Sequence, residues 1–536
     1  MSDGRLGILV IVARSSDVHI WATSYYLPPS STSPIPSVRH PSISLPCHTQ
    51  ISHRTQRFLA MLIPDPPPQR AQYTATVDLL SGSDIESFVD AVSANKVDIP
   101  SILGFRIYAG NVSQLVGDAF AAFIMKHRGV FKISHLEIHH AEEFLGSTHR
   151  LVYAFAACIT IAHVTLGEVG DLGRELLVRS RFSLISANLT MPGDLDEELD
   201  EPDSEEDDSE DDDSDDSNNQ RDPDYYARHN PIVLLRNSRR TLESLTGSGC
   251  KTLCAKAKTI KDLSYKQVYP HVTNLELHQR NEIPFAFRLV NAFPNLRTLH
   301  ISFSLDAIME VGDTPKSVRE RRRVNQDKQW VFGTWKSLEA CYAPLFEHYL
   351  LGLTCRVEEL HILGDHMDPD MFFQVVRRTE PAHLSLDGFD ADAFTLGFAE
   401  VLSQLDHAVT KLQSLEVALD LGSTLRPDEI DVAKTLAEMT STLQPLRIRS
   451  FRLSLAVSIH GRPRPPLELV PMCAQLERYL EALDLDALAT RVRKSVPSLQ
   501  TVALRLSGHP TRPLMTATHG AERNTVPMLC DSSGVV

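Results

Sequence analysis

Seven histidines hold one position relative to a recurring hydrophobic phrase. His135, His139, His163, His278, His300, His361 and His383 each stand at an odd offset from a pair of Leu-type residues spaced two apart. An imidazole titrates near pH 6.5, ligates metals through either ring nitrogen and relays protons. Successive side chains of an extended chain point to opposite faces, so these histidines share the face opposite the paired apolar residues. One chemistry for such a face is a tighter hold on acidic partners below about pH 6.5. The plainer reading is that outward positions must be polar and histidine is one way to fill them. The linear sequence shows no compact triad of metal ligands, so no metal and no cofactor is expected.

Other chemistry-bearing motifs are incomplete. Thr246-Gly-Ser-Gly-Cys-Lys-Thr252 resembles a phosphate loop, but a Walker loop needs Gly directly before the Lys and another five positions earlier, where this chain has Cys250 and Leu245. Cys250 and Cys254 have the spacing of half a zinc site, and no second pair follows at finger spacing. Arg319-Glu-Arg-Arg-Arg323, with Lys316 and Lys328 nearby, is a basic patch. It reads either as a localisation or RNA contact or as a solvated helix face. No aromatic-rich platform for single strands accompanies it, and nucleic acid is not expected as a partner. The chain has no Gly-x-Ser-x-Gly elbow, no His-Glu-x-x-His and no dinucleotide fingerprint. No catalytic residue is assigned and an enzyme is not expected.

The formal net charge of −16 is local. Between Asp194 and Asp216, 17 of 23 residues are acidic; the rest of the chain carries 52 acids against 53 bases. The remainder is therefore close to neutral and projects no field favouring nucleic acid or an anionic membrane. The eight cysteines show no framework spacing, which in 536 residues points to reduced, mostly buried thiols and a cytoplasmic or nuclear setting. Gly7–Ala13 is an apolar core at the lower limit for a signal peptide. The apolar run Leu151–Leu166 is broken by Thr160 and His163 and is too short to span a bilayer, so no membrane is expected.

The elements that must position these residues are set by the repeating phrase. It appears at Leu136-Glu-Ile138, Val164-Thr-Leu166, Leu275-Glu-Leu277, Leu299-His-Ile301, Leu360-His-Ile362, Leu384-Ser-Leu386, Leu415-Glu-Val417, Leu453-Ser-Leu455 and Leu504-Arg-Leu506. Steps of 28, 24 and 24 residues separate Leu136 from Val164, Leu275 from Leu299 and Leu360 from Leu384. Leucine-rich repeats have periods of about 20–29 residues with one strand each. Amphipathic helices fit between the strands. Ser83-Asp-Ile-Glu86 reads as a capping box. Val112, Leu115, Val116, Phe120, Phe123 and Ile124 form one stripe, with Gly129 placed to end that helix. Asp368-Pro369 reads as N-cap and N1 of another. Further helices fit Asn281–Phe293, Ala391–Leu405, Pro427–Leu443 and part of 466–496.

Phe293-Pro-Asn-Leu-Arg-Thr-Leu-His-Ile301 is similar to a phrase of F-box-associated leucine-rich-repeat proteins. Val318–Gln326, Thr334-Trp-Lys-Ser-Leu338 and Leu351-Gly-Leu-Thr-Cys-Arg-Val357 resemble a large group of such proteins from basidiomycete fungi. The likeness is strongest over about 270–390. It implies a repeat array that presents protein substrates to a cullin-type ubiquitin ligase, with a cullin adaptor as a second partner. The F-box of that family has its nearest counterpart in Leu45-Pro46-Cys47, with no helical pattern behind it.

The expected fold is α/β: an irregular leucine-rich-repeat-like solenoid of parallel strands alternating with helices, with an acidic disordered insertion. Its parts are a mostly disordered 1–76, an N-terminal array 77–192, the insertion 193–224, a C-terminal array 225–508 and a disordered tail 509–536. The expected function is protein interaction, with substrate recognition for a ubiquitin ligase implied by the resemblance. The alternative is a nuclear or chromatin-associated scaffold that binds basic partners through its acidic tract. The positions expected to face a partner are Glu276, His278, His300, Ser302, His361, Ser385 and Glu416.

Overall fold

The computed structural model describes residues 7–14, 17–24, 75–94, 99–192, 230–249, 267–279, 285–303, 314–364, 368–390, 411–421, 432–456, 479–507 and 514–520. The acidic insertion, Cys250, Cys254 and the helix expected at Ala391–Leu405 lie outside them. The chain divides into two units, Met1–Ile161 and Ala162–Val536.

The first unit opens with strands β1 (Gly7–Arg14) and β2 (Asp17–Ser24), paired antiparallel. They fall in the stretch expected to lack structure; the β-branched run Val10-Ile-Val12 suits a strand. β1 also pairs in parallel with β3 (Ala75–Leu79), which is followed in parallel by β4 (Ile102–Ile107) and β5 (His135–Ile138). Helices α1 (Gly82–Ser93), α2 (Gln114–His127), α3 (Ala141–Gly146) and α4 (Arg150–Ala156) alternate with the strands. Phe88, Phe105, Phe120, Phe123 and Phe131 meet edge-on or stacked in the core between them.

Three local expectations change here. The cap of α1 is Ser81, not Ser83: its hydroxyl accepts from the Asp84 amide, while the Asp84 carboxylate accepts from the Leu80 amide and the Ser81 hydroxyl. The reciprocal pair is thus Ser-x-x-Asp, two residues earlier, which also puts Ile85 and Phe88 on the buried side. Leu115 is exposed, because the helix starts at Gln114 after the Ser113 cap and its first turn lies at the rim. Gly129 is not in the left-handed region; the last helical turn continues through Arg128.

In the second unit β6 (His163–Leu166), β7 (Ser186–Thr190), β8 (Ser244–Ser248), β9 (Asn274–Gln279), β10 (Thr298–Phe303), β11 (Ser337–Pro344), β12 (Arg356–Leu363), β13 (His383–Asp390), β14 (Ser414–Asp420), β15 (Ser450–Ala456) and β16 (Thr501–Ser507) pair in parallel, each with its neighbour in sequence. β17 (Met515–His519) adds an antiparallel edge to β16, within the tail expected to be loose. Helices stand between many of these strands: α5 (Asp171–Arg179), α6 (Pro231–Leu234), α7 (Ala286–Ala292), α8 (Pro315–Phe332), α9 (Leu345–Leu351), α10 (Pro369–Thr379), α11 (Val432–Leu443) and α12 (Leu485–Ser495). The sheet is open and the class is α/β, as the alternation requires.

Register explains why the phrase repeats. Val164, Ala187, Leu245, Leu275, Leu299, Cys341, Leu360, Leu384, Leu415, Phe451 and Val502 pair in succession across the strands, and all are buried. Each repeat covers the next, as in any quasi-one-dimensional array. Asp368 caps α10 as expected, its carboxylate accepting from the Met371 amide at 2.8 Å. Among the described residues no helix is long and apolar enough to cross a membrane. Leu151–Leu166 divides between α4 and β6.

Candidate functional site

A parallel ladder with every strand in step aligns side chains on the face opposite the leucines. In the second unit one row runs Thr165, Asn188, Thr246, Glu276, His300, Tyr342, His361, Ser385, Glu416 and Arg452, one residue from each of ten successive strands. Adjacent strands lie about 4.8 Å apart, so Glu276 to Arg452 spans roughly 29 Å. The leucine phase of these strands is buried and the alternate phase is half-exposed, as in the pattern of β15. Among the described residues, the helices therefore cover the leucine side and leave the other side open. Parallel sheets are usually covered on both faces, so this open face is the distinctive surface of the unit.

All seven positions expected to face a partner lie on it. Glu276, His300, His361, Ser385 and Glu416 share the row, and His278 pairs with Ser302 in the row two residues on. Sequence reading missed Thr246, Tyr342 and Arg452. Tyr342 escaped because β11 replaces the Leu pair with Cys341 and Ala343, so its phrase reads Cys-Tyr-Ala.

The centre of the face is aromatic and imidazole-rich. The Tyr342 and His361 rings stack at 4.0 Å with 14° between planes. His300 lies 5.7 Å from Tyr342 on its other side, and His278 meets His300 edge-on at 5.2 Å. Cross-strand ring pairs of this kind contribute about 0.5–1.5 kcal/mol each. One oxygen of Glu276 sits 3.1 Å from His278 Nε2 and 3.1 Å from His300 Nδ1. The other oxygen accepts from the Thr246 hydroxyl at 3.2 Å, and His278 Nδ1 lies 2.6 Å from the Ser302 hydroxyl. The hydrogen bonds from His278 and then His300 hold the Glu276 carboxyl far below the usual carboxylate range. Glu276, His278 and His300 are the one group of potential metal ligands found together among the described residues, their ligand atoms all within 4.8 Å of each other.

His361 behaves differently. Burial, with the nearby His348, His383 and His300, pushes its pKa down to about 4. It stays neutral through the range in which a free imidazole would charge, so it cannot supply the acid-triggered grip considered for the histidine face. Beneath it, buried His348 on α9 bonds through Nε2 to the His361 carbonyl at 2.9 Å, and burial lowers its pKa to about 4 as well. At the far end of the row Arg452 stands 3.8 Å from Glu416.

The remaining histidines are tied locally. His163 Nδ1 lies 2.8 Å from the Ser186 hydroxyl, and His383 stands opposite Glu359 in the backbone register of β12 and β13. In the first unit His139 stacks on Tyr108 at 4.2 Å and bonds Glu137 at 2.9 Å, while Arg106 bridges Asp78 at 3.2 Å and Glu137 at 2.8 Å.

The basic patch is largely used within the fold. Arg323 pairs with Glu320 and Asp327, Arg322 is buried over the Tyr349 ring at 4.1 Å, and Arg321 stacks over Phe285 at 3.8 Å. Cys158, Cys341 and Cys355 are free and buried, and burial raises all three thiols, Cys158 and Cys355 to about 11. Thiols so placed are poor nucleophiles. Compared with known proteins, the chain matches no family model and no curated protein sequence.

Proposed function

We propose that the chain is a protein-interaction module and that the open sheet face centred on His300, Tyr342, His361, Ser385 and Glu416 is its recognition surface. The observation that carries the reading is the in-step row of polar and aromatic side chains on a parallel sheet that, among the described residues, is covered by helices on one side only. Tyr and His present large, rigid contact area, and a rim of charge around such a centre is the ordinary anatomy of an interface. The finer reading, a leucine-rich-repeat substrate-recognition subunit of a cullin-type ubiquitin ligase, rests on the resemblance of residues 270–390.

The test is affinity purification from the native cell, comparing wild type with Tyr342→Ala/Ser385→Arg/Glu416→Lys. Wild type is expected to bring down a cullin adaptor and a set of further proteins, and the variant to keep the adaptor and lose the set. Identical partners on both baits would reject the face as the recognition surface. Absence of any cullin adaptor would leave a plain binding scaffold.

A further inference from the structure

We propose that Glu276, His278 and His300 form a binding site for one divalent transition-metal ion, zinc in the first instance, on the open face of the second unit. The sequence hides this site. Glu276 and His278 belong to one strand, His300 to the next, and only the parallel register brings the three together.

Three observations support it. The first is geometry. Ligand atoms about 2.0–2.1 Å from a first-row divalent ion stand about 2.9 Å apart in octahedral and about 3.3 Å apart in tetrahedral coordination. Glu276 Oε1 lies 3.1 Å from both His278 Nε2 and His300 Nδ1, between those two values. All three ligand atoms fall within 4.8 Å of one another, close enough for a shared ion once the side chains adjust.

The second is the outer shell. Ligating histidines usually bond their other nitrogen to a fixed partner, and ligating carboxylates are themselves hydrogen-bonded. His278 has the Ser302 hydroxyl at 2.6 Å on Nδ1, and Glu276 has the Thr246 hydroxyl at 3.2 Å on its second oxygen. With a metal on Nε2, the His278 proton moves to Nδ1 and is donated to Ser302 Oγ. The third is the chemistry of the set. Two imidazoles and one carboxylate suit zinc and its neighbours rather than calcium or magnesium, which take oxygen ligands. Three protein ligands on a half-exposed face leave a coordination position for water or for a side chain of a bound protein.

The experiment uses the full chain, stripped with a chelator and titrated with zinc against a chromophoric competitor. Wild type is expected to take up one tightly held ion per chain. Glu276→Ala and His300→Ala are expected to lose that ion, and His163→Ala, on the same face outside the cluster, to keep it. Ser302→Ala removes only the outer-shell partner and is expected to weaken binding roughly 10-fold. Cobalt in place of zinc should give ligand-field bands without a thiolate charge-transfer band, which separates this site from the chain's cysteines. Failure of wild type to hold zinc against the competitor would overturn the proposal, leaving a hydrogen-bonded Glu–His cluster. So would equal uptake by Glu276→Ala, or a thiolate band in the cobalt spectrum. Should either alanine variant alter the circular dichroism spectrum, Ser302→Ala decides, and unchanged affinity there overturns the proposal.

Discussion

Glu347 offers a sharp test of the physics of the second unit. It lies on α9, directly behind β11, and is only 3% exposed. Its Oε2 has no hydrogen-bond partner. Burial raises its pKa from 4.5 to about 7, and backbone hydrogen bonds at Glu347 and Phe303 pull it part of the way back. A folded pKa above the unfolded one means that the folded state holds the proton more tightly. The associated stability is fully present below about pH 4.5 and is lost as pH rises through 7. A shift of this size corresponds to about 3 kcal/mol. Between pH 5 and pH 8 most of it should disappear, about 2–3 kcal/mol.

Glu347→Gln removes the titration while keeping shape. The amide brings its own pH-independent cost, so the informative quantity is the change in the difference between the two proteins. His348 and His361 titrate in both proteins and cancel. Urea unfolding followed by circular dichroism at pH 5, 6, 7 and 8 measures that difference. The variant should gain about 2–3 kcal/mol on wild type across the range, most of it between pH 5 and 7. A difference constant within about 0.5 kcal/mol would refute the reasoning and show that the carboxyl is solvated or paired in the folded chain.

His348 gives the opposite sign. Its folded pKa of about 4 lies below the unfolded 6.5, so the stability it supports is present above pH 6.5 and lost as pH falls towards 4. His348→Gln should flatten that acid limb by up to about 3 kcal/mol relative to wild type, read from urea midpoints at pH 4.5 and 7; parallel curves would count against it. Gln329→Leu should cost about 2–4 kcal/mol, because the buried Gln329 amide donates to the Leu351 and Gly352 carbonyls and accepts from the part-buried Thr354 amide; a thermal midpoint within 1 °C of wild type would contradict this. Leu299→Asp with Leu384→Asp places carboxylates at positions 0% and 1% exposed, and should abolish cooperative unfolding and protease resistance of the array. Retention of both would be inconsistent with the ladder.

The nine Leu-x-Leu phrases were all legible as strands because each places two buried residues two apart. Three of the strands that escaped, β7, β8 and β11, hold the same two positions with smaller residues: Ala187, Gly247, Cys341 and Ala343. Facing helices set how much volume each position must fill, and that information is absent from a local window. The same limit applies to the site. The outward phase of Glu276, His278 and His300 follows from alternation alone. Their convergence depends on which residue of β10 pairs with which of β9, a step of 24 residues along the chain that alternation within one strand does not set. A basic run such as Arg319–Arg323 misleads for the reverse reason. Its charges look free in one dimension, yet Arg321 and Arg322 are spent on Phe285 and Tyr349.

The two faces of this sheet are under unequal constraint, and that bears on how function resides here. On the leucine side each residue is buried against both neighbouring strands and, where a helix stands between strands, under that helix, so a polar replacement must disturb several repeats at once. On the open side, most side chains touch only the strand before and the strand after. A change at Ser385 or Glu416 can therefore alter what the face binds while costing the fold little. Two positions on the open face are held more tightly: His361, whose buried ring stacks on Tyr342, and Tyr342, clasped between His300 and His361. Substitutions at those two positions should change both stability and binding, whereas Ser385, Glu416 and Arg452 should change binding alone. A partner whose affinity responds only to His361 and Tyr342, in proportion to lost stability, would place the recognition surface elsewhere.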